Sequence, residues 1–438
     1  MRIKKYLWIF ALLLILSFSI LQEASFAKQP EENISPKPLT KEDIFDELEI
    51  FADALTLINA NYVDEVSSND MIYGALEGML SSLDSHSSFL TPDELNEIQT
   101  ETRGEFGGIG IKVTMRDKVL TIVSPLEGTP ACKAGVKPGD KIIKIDDKST
   151  KDFTLDDVVN KLRGAPGTEV TLTILREGED KLMNFLIKRA MIKIKSVKPP
   201  LVLNDDVGYL RIVEFQQYTS LDLNRAMKAL LKKKIKFLIL DVRSNPGGLL
   251  TSAVSVSEKF LEKDSPIVST RGRIEQQNMD FKSNALKPYA AFPMAVLINK
   301  GSASASEIVA AALRDNKRAV IVGETSFGKG SVQTVIPMKD KSALRLTTSY
   351  YYTPSGKVIH EKGLTPDLEV KFISQKHKEE EDGESLEEEK EESDQKVKDY
   401  TPEQEKKLTL ERLENDNQVQ QAIELIKDRE RYESLINK

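Results

Sequence analysis

Met294-Ala295-Val296-Leu297-Ile298-Asn299-Lys300-Gly301-Ser302-Ala303-Ser304-Ala305-Ser306-Glu307 is an unbroken apolar run that passes through a loop of small residues into an Ala-rich helical pattern near 304–316. An apolar run without polar alternation reads as a strand buried on both faces, the situation of a parallel sheet covered by helices on either side. The neighbouring sequence repeats the theme. Phe237 to Val242 and Ala319 to Val322 are further apolar runs, and a helical pattern near 251–263 follows the first of them. The alternation implies βαβ crossovers and buried parallel strands from Gly208 onward.

Upstream, from 101 to 190, the texture changes to short alternating segments such as Val119-Leu120-Thr121-Ile122-Val123 and Val170-Thr171-Leu172-Thr173-Ile174-Leu175, separated by Gly, Pro and Asp turns. That is a small, mostly β module. Before it, Ile44, Leu48, Phe51, Leu55 and Ile58 recur at helical spacing, as do Ile72, Ala75, Leu76, Met79, Leu80 and Leu83, so 41–100 reads as helical. Downstream, 374–400 is a run of Glu, Lys, Asp and Ser with little to bury and reads as an acidic disordered linker. A final amphipathic helix within 401–438 carries Leu408, Val419, Ile423, Ile426 and Leu435. Such a helix needs a partner surface, because propensity alone rarely holds it together, and a second subunit would supply one.

The chain of 438 residues is 40% hydrophobic and 30% charged, which excludes a wholly disordered or fibrous protein. A net charge of −7, with no basic cluster interleaved with aromatics, argues against nucleic acid as a partner. Arg2, Lys4 and Lys5 precede an apolar run from Leu7 to Leu21, and Ser25-Phe26-Ala27 supplies small residues for cleavage. Residues 1–27 therefore read as a signal peptide and 28–40 as a spacer, which places the mature chain in the periplasm or cell envelope. The apolar run, about 15 residues, is short of the roughly 20 that span a bilayer, but an uncleaved anchor remains the alternative. Cys132 is the single cysteine, so no intrachain disulfide can form, and it reads as a small buried hydrophobe.

Gly107-Gly108-Ile109-Gly110-Ile111 sits at the start of a strand, small enough for backbone N–H groups to close on a carboxylate. Pro130-Ala131, Ala134-Gly135-Val136, Pro138-Gly139-Asp140 and Leu162-Arg163-Gly164 follow at fixed distances. Together these resemble a PDZ domain over 101–190. The resemblance implies that Gly108, Ile109, Gly110 and Ile111 hold a substrate's C-terminal carboxylate while the tail adds a strand beside Ile111, with Met115 and Val159 shaping a side-chain pocket or simply packing the core.

Ser304 stands where a helix begins, so unpaired amides and the helix dipole would stabilise negative charge beside its hydroxyl. The same residues fit a capping box, Ser304 to Glu307, and taken alone that reading is the better one. A nucleophilic serine needs a base. His86, His360 and His377 have no convincing company, although a Ser-His-Asp triad is geometric and order cannot rule it out. Gly323-Glu324-Thr325-Ser326-Phe327-Gly328-Lys329-Gly330-Ser331-Val332-Gln333 offers Lys329 instead. It resembles a phosphate-binding loop but fails at Gly330, where Ser or Thr should hold magnesium, and an extended run follows where a helix should begin. A lysine acts as base only when neutral, about one molecule in 2,500 at pH 7 for an unperturbed amine, so burial must lower its pKa. Period two puts Lys329, Ser331 and Gln333 on one face, where Gln333 orients the amine without adding charge. Asn245-Pro246-Gly247-Gly248 ends another buried strand and exposes further amides, or is a simple turn.

The strings around Asn245-Pro246-Gly247-Gly248, Gly301 to Glu307 and Gly328 to Gln333, in this order after a PDZ domain, resemble the carboxy-terminal processing (tail-specific) serine proteases. So do Leu83-Asp84-Ser85-His86-Ser87-Ser88-Phe89 and Gly363 to Asp367. The resemblance implies an α+β multidomain protein: a helical N-terminal region, a PDZ domain, a βαβ-containing protease core over 198–373 and a C-terminal helix. It assigns Ser304 as nucleophile, Lys329 as general base, Gln333 as its orienting partner, and amides of Ala305 and of Gly247 or Gly248 as oxyanion hole. It further implies an endopeptidase without metal or cofactor acting on proteins with exposed C-terminal tails, a homodimer through the terminal helices, an adaptor protein, and a PDZ domain that moves, with Arg163 linking it to the protease. The rival reading is a PDZ scaffold or chaperone that binds tails without cutting them.

Overall fold

The computed structural model describes residues 41–116, 118–289, 292–373 and 402–437, so the expected signal peptide, spacer and acidic linker lie outside the described residues. The chain divides after Ala75 into two units. The first contains α1 (Lys41–Asn61), and the division falls within α2 (Ser68–Ser81). The helical stripe of α1 finds no core: Leu48, Phe51 and Ile58 stay exposed. A groove of about 420 Å3 is lined by Phe51, Leu55, Ile58, Tyr62, Met71 and Ala75. Among the described residues no helix is long and apolar enough to cross a membrane.

The second unit opens with β1 (Ser88–Leu90) and α3 (Pro92–Arg103), whose start is fixed by a reciprocal cap between Thr91 and Glu94. The PDZ module follows: β2 (Glu105–Gly108), β3 (Ile111–Arg116), β4 (Val119–Pro125), α4 (Pro130–Ala134), β5 (Lys141–Ile145), β6 (Lys148–Ser149), α5 (Leu155–Leu162), β7 (Glu169–Leu175), β8 (Met183–Lys188) and β9 (Ala190–Lys193). Its main sheet runs β3-β4-β5-β7-β8, and β2 pairs with β9. Alternation does what period two requires, turning Val170, Leu172 and Ile174 of β7 into a core with Ile122, Ile142 and Val158. Cys132 departs from expectation. The single turn of α4 has one inward flank, which Ala131 occupies, and the thiol is exposed.

The protease core comprises β10 (Leu201–Leu203), β11 (Val207–Arg211), α6 (Thr219–Lys232), β12 (Phe237–Asp241), α7 (Leu250–Ser257), β13 (Pro266–Gly272), β14 (Met279–Lys282), β15 (Met294–Ile298), α8 (Ala305–Asp315), β16 (Val320–Gly323), β17 (Ser331–Pro337), β18 (Ala343–Tyr352) and β19 (Leu368–Glu369). One sheet runs β10-β11-β12-β15-β16-β19, parallel from β11 onward. Leu238, Leu240, Val296, Ile298 and Ile321 meet α6, α7 and α8 on one face. A second, antiparallel sheet centres on β18, which pairs with β17, β13 and β1.

The other face of the parallel sheet corrects an expectation. The C-terminal segment is three helices, α9 (Pro402–Glu414), α10 (Asn417–Lys427) and α11 (Arg429–Ile436), because Asp416 and Asp428 each turn a side chain onto the amides of the helix that follows. Their apolar stripe does not await another subunit. Val419, Ala422, Ile423, Ile426 and Tyr432 pack on Ile239, Ala295, Leu297, Val320 and Val322 of the same chain. Each large aliphatic side chain so buried contributes about 1.5–3 kcal/mol relative to exposure.

Candidate active site

Gly247, Gly248, Ser304, Ala305 and Lys329 lie in or at the end of the loops released at the carboxyl ends of the parallel strands β12, β15 and β16, and Gln333 lies on β17 of the antiparallel sheet. After β15, Asn299 accepts hydrogen bonds through Oδ1 from the N–H groups of Ser244 (2.7 Å) and Gly301 (3.1 Å), and the Ser302 hydroxyl donates to Val242 O at 2.8 Å. Two loops are thereby tied together, and Ser304 is driven to φ 52°, ψ −112°. A residue with a side chain pays roughly 1–3 kcal/mol for such a conformation, which persists where surrounding structure enforces it and where a strand-to-helix turn projects a nucleophile. The capping expectation is half met: Glu307 accepts from Ser304 N–H at 2.8 Å, but the Ser304 hydroxyl makes no cap bond. That hydroxyl lies close enough to buried Tyr351 to oppose the rise that burial gives the tyrosine's pKa.

The second loop abuts the first. Asn245 Nδ2 donates to Ile212 O at 2.9 Å, while Asn245 O accepts from Ala303 N–H (3.0 Å) and from the Ser306 hydroxyl (2.9 Å). A Cβ placed on Gly247 would lie 2.9 Å from Ser304 Cβ and 3.0 Å from Ala305 N, so only glycine permits this approach. The two candidate glycines differ. Gly247 N–H is already donated to Asn245 Oδ1 at 2.9 Å. No hydrogen bond among the described residues engages the N–H of Gly248 or of Ala305, the first residue of α8.

Lys329 lies on the loop between β16 and β17. Phe327 N–H donates to Ser302 O (2.9 Å), Lys329 N–H to Glu307 Oε2 (3.0 Å), and Gly330 O accepts from Tyr351 N–H (2.7 Å). The lysine is half-buried. Burial, aided by the positive charge of Arg345, holds its pKa below the ordinary lysine value. β17 follows it directly, so the resemblance to a phosphate loop ends at Lys329. Gln333 is elsewhere engaged. Its Nε2 donates to Ser331 Oγ at 2.8 Å, with the Thr347 hydroxyl at 3.5 Å, and not to Lys329. A bulge between Val332 and Gln333 shifts the register there. Thr347 in turn donates to Asp84 Oδ1 at 3.2 Å, which draws the Leu83 to Phe89 segment onto this strand.

Among the described residues neither His86 nor His360 bonds to Ser304, and His377 lies outside them. Burial, followed by the charge of Lys329, pushes the His86 pKa down, and His360 stacks on Tyr350 with ring centroids 5.0 Å apart. Tyr351 and Arg345 were not singled out by the sequence. Tyr350-Tyr351-Tyr352 is an aromatic triplet in a strand, and alternation alone does not tell which ring reaches the serine.

In the PDZ module, Gly110 O accepts from Leu126 N–H (2.8 Å) and the Thr129 hydroxyl (3.0 Å), and Ile109 O from Ala131 N–H (3.0 Å). A trans peptide sets each carbonyl opposite the next N–H, so the N–H groups of Gly110 and Ile111 face away from these anchors. β3 is an edge strand with α5 beside it. Met115 and Val159 are half-buried. Arg163, at the end of α5, places Nη1 3.9 Å from Glu97 of α3 and its guanidinium 5.2 Å from the Phe106 ring centre.

Family models match three stretches of the chain. Peptidase family S41 matches residues 206–370, a PDZ domain 121–176, and the activating protease CtpB N-terminal domain 13–92. The carboxy-terminal-processing protease of Bartonella bacilliformis is 46% identical over 334 residues, 75% of this chain and 76% of that one. Carboxy-terminal processing protease CtpB of Bacillus subtilis is 40% identical over 323 residues, covering 73% and 66%. Among solved structures, a photosystem II D1 C-terminal processing protease is 29% identical with a TM-score of 0.44, covering 74% of this chain and 93% of that one.

Proposed function

This chain belongs to the carboxy-terminal processing proteases of peptidase family S41, serine-type peptidases, here with a PDZ domain, and on that premise we propose that Ser304 and Lys329 form its catalytic dyad. Neutral Lys329 takes the Ser304 proton as Oγ attacks the scissile carbonyl, and the tetrahedral oxyanion is held by the N–H groups of Ala305 and Gly248. The protonated amine then delivers its proton to the leaving nitrogen, and Lys329 activates the water that hydrolyses the acyl-enzyme. The observation that carries this reading is the left-handed turn at Ser304, which leaves the hydroxyl uncommitted to the helix beside two unengaged amides. A fluorophosphonate probe is expected to label Ser304 in the wild type and to lose that label in Lys329→Arg; equal labelling of both proteins overturns the dyad. Ser304 lies against Tyr351 and Gln333 bonds to Ser331, so both side chains turn toward Lys329 as substrate enters.

The depressed pKa of Lys329 gives a pH dependence. The base works deprotonated, so kcat/KM rises with pH and levels off above the Lys329 pKa, which lies below the ordinary lysine value. Arg345→Gln removes a positive neighbour, makes protonation easier, and moves this acid limb to higher pH. An acid limb that stays in place or moves lower sinks the assignment of Lys329 as the base.

Substrates are proteins whose exposed C-terminal tails bind along β3, with the carboxylate on the loop Gly108, Ile109, Gly110 and Ile111. Gly110→Val is expected to raise KM for a tail-bearing substrate by about tenfold or more, a loss of roughly 1.4 kcal/mol, with kcat on a tail-less peptide unchanged. Its Cβ would meet Thr129 at 2.5 Å. Tail binding reaches the protease through Arg163 and Glu97. In the same assay Arg163→Ala loses activation by added tail peptide, and activation at the wild-type level removes that role; its exposed ion pair is worth at most about 1 kcal/mol of stability. The apolar segment within 1–27 exports the enzyme, and the exposed stripe of α1 serves self-association. Cell fractionation and sedimentation check both, a cytosolic monomer contradicting them.

A further inference from the structure

Glu307 does more than a helix start requires. It is fully buried. Oε2 accepts from Ser304 N–H at 2.8 Å and from Lys329 N–H at 3.0 Å, while Oε1 accepts from Gly328 N–H at 2.8 Å and from the Ser326 hydroxyl. One of these bonds belongs to its own helix; the other three come from the loop of Lys329. Ser326 Oγ itself accepts from Leu364 N–H at 2.6 Å, which leaves its proton for Glu307. All four partners are donors, so an ionised carboxylate, which only accepts, satisfies every one. Burial raises the Glu307 pKa, and the four donors oppose that rise.

We propose that Glu307 is a positioning residue that sets the separation of nucleophile and base, because one oxygen atom holds the backbone of both Ser304 and Lys329. This rests on the dyad proposed above. The same bond to Ser304 N–H helps hold the serine at its positive φ, against the preference of any residue bearing a Cβ. No other side chain substitutes. Aspartate is one methylene too short to span the two loops, and glutamine sets its NH2 group against at least one backbone N–H, leaving buried donors opposed.

The test uses the full-length protein and four variants. Glu307→Gln is expected to lower kcat by about 100-fold, the cost of an ångström-scale misplacement, with KM for a tail-bearing substrate and tail-peptide affinity unchanged. Ser326→Ala, which removes one donor and touches neither dyad residue, lowers kcat by about tenfold with the same selectivity. Wild-type kcat in Glu307→Gln overturns the inference. So does a loss in which tail binding and the folding transition fall together with activity in both variants, since that is a fold defect. If Glu307→Gln alone does not fold, Ser326→Ala decides, wild-type kcat there overturning the proposal. Ser304→Ala and Lys329→Ala run alongside: cleavage by either overturns the dyad and this inference with it, whereas inactivity of both beside an active Glu307→Gln overturns this inference alone.

Discussion

Ser304→Ala and Lys329→Ala are each expected to cut kcat on an unfolded, tail-bearing protein by about 10,000-fold or more, and the double variant to be no worse than either single one. Residues that act as one unit lose their joint effect once, and a factor of 10,000 is about 5.4 kcal/mol of transition-state stabilisation. The sharper variant is Lys329→Arg. It preserves positive charge and much of the side-chain volume, but guanidinium does not lose its proton in the accessible pH range. A lysine that merely binds substrate tolerates this change; a lysine that must be neutral does not. Cleavage by Lys329→Arg at more than about a hundredth of the wild-type rate would therefore remove Lys329 as base. Tail binding should survive in all of these proteins, because β3 and the Gly110 loop belong to a different sheet from Ser304.

The second large effect is on stability. Arg243 is buried and joins the end of β12 to the start of α10: Nη2 lies 2.7 Å from Asp241 Oδ2, Nη1 2.8 Å from Asp416 Oδ2 and 2.8 Å from Gln418 Oε1. Tyr209 completes the cluster by donating to Asp241 Oδ2 at 2.6 Å. Burial works against the guanidinium charge, yet Asp241 and Asp416 outweigh it and hold the Arg243 pKa above its ordinary value. Arg243→Ala leaves Asp241, wholly buried, without its counter-charge, and is expected to destabilise the protease core by about 3–5 kcal/mol. Total stabilities of about 5–15 kcal/mol make this a large share. Urea unfolding followed by far-UV circular dichroism measures it, and a loss below about 1 kcal/mol, the worth of a surface ion pair, would show the cluster to be solvated.

The parallel sheet was legible because strands buried on both faces are apolar along their length, as Phe237 to Leu240 and Met294 to Ile298 are. The PDZ module was legible from alternation and turn residues. What covers the second face of the sheet was not, since a charged segment separates 417–436 from it in sequence and an amphipathic helix does not name its partner. Side-chain partners within the site were the least legible. Asn245 decides that Gly247 N–H is taken and Gly248 N–H is not, and only three-dimensional placement reveals it. The pattern Ser304 to Glu307 reads as a cap, whereas the carboxylate reaches across to Gly328 and Lys329. The bulge after Val332 redirects Gln333, and no residue in that stretch announces it.

The return of α10 and α11 to the parallel sheet has a bearing on how the enzyme is born. A chain still emerging from a ribosome or translocation pore has made β11, β12, β15 and β16 long before residues 417–436 appear. Until then Ile239, Leu297 and Val322 have no cover, and Arg243 has no Asp416. The ends of β12, β15 and β16, from which the loops of Gly248, Ser304 and Lys329 leave, therefore gain the last of their packing partners only when residues 417–436 dock.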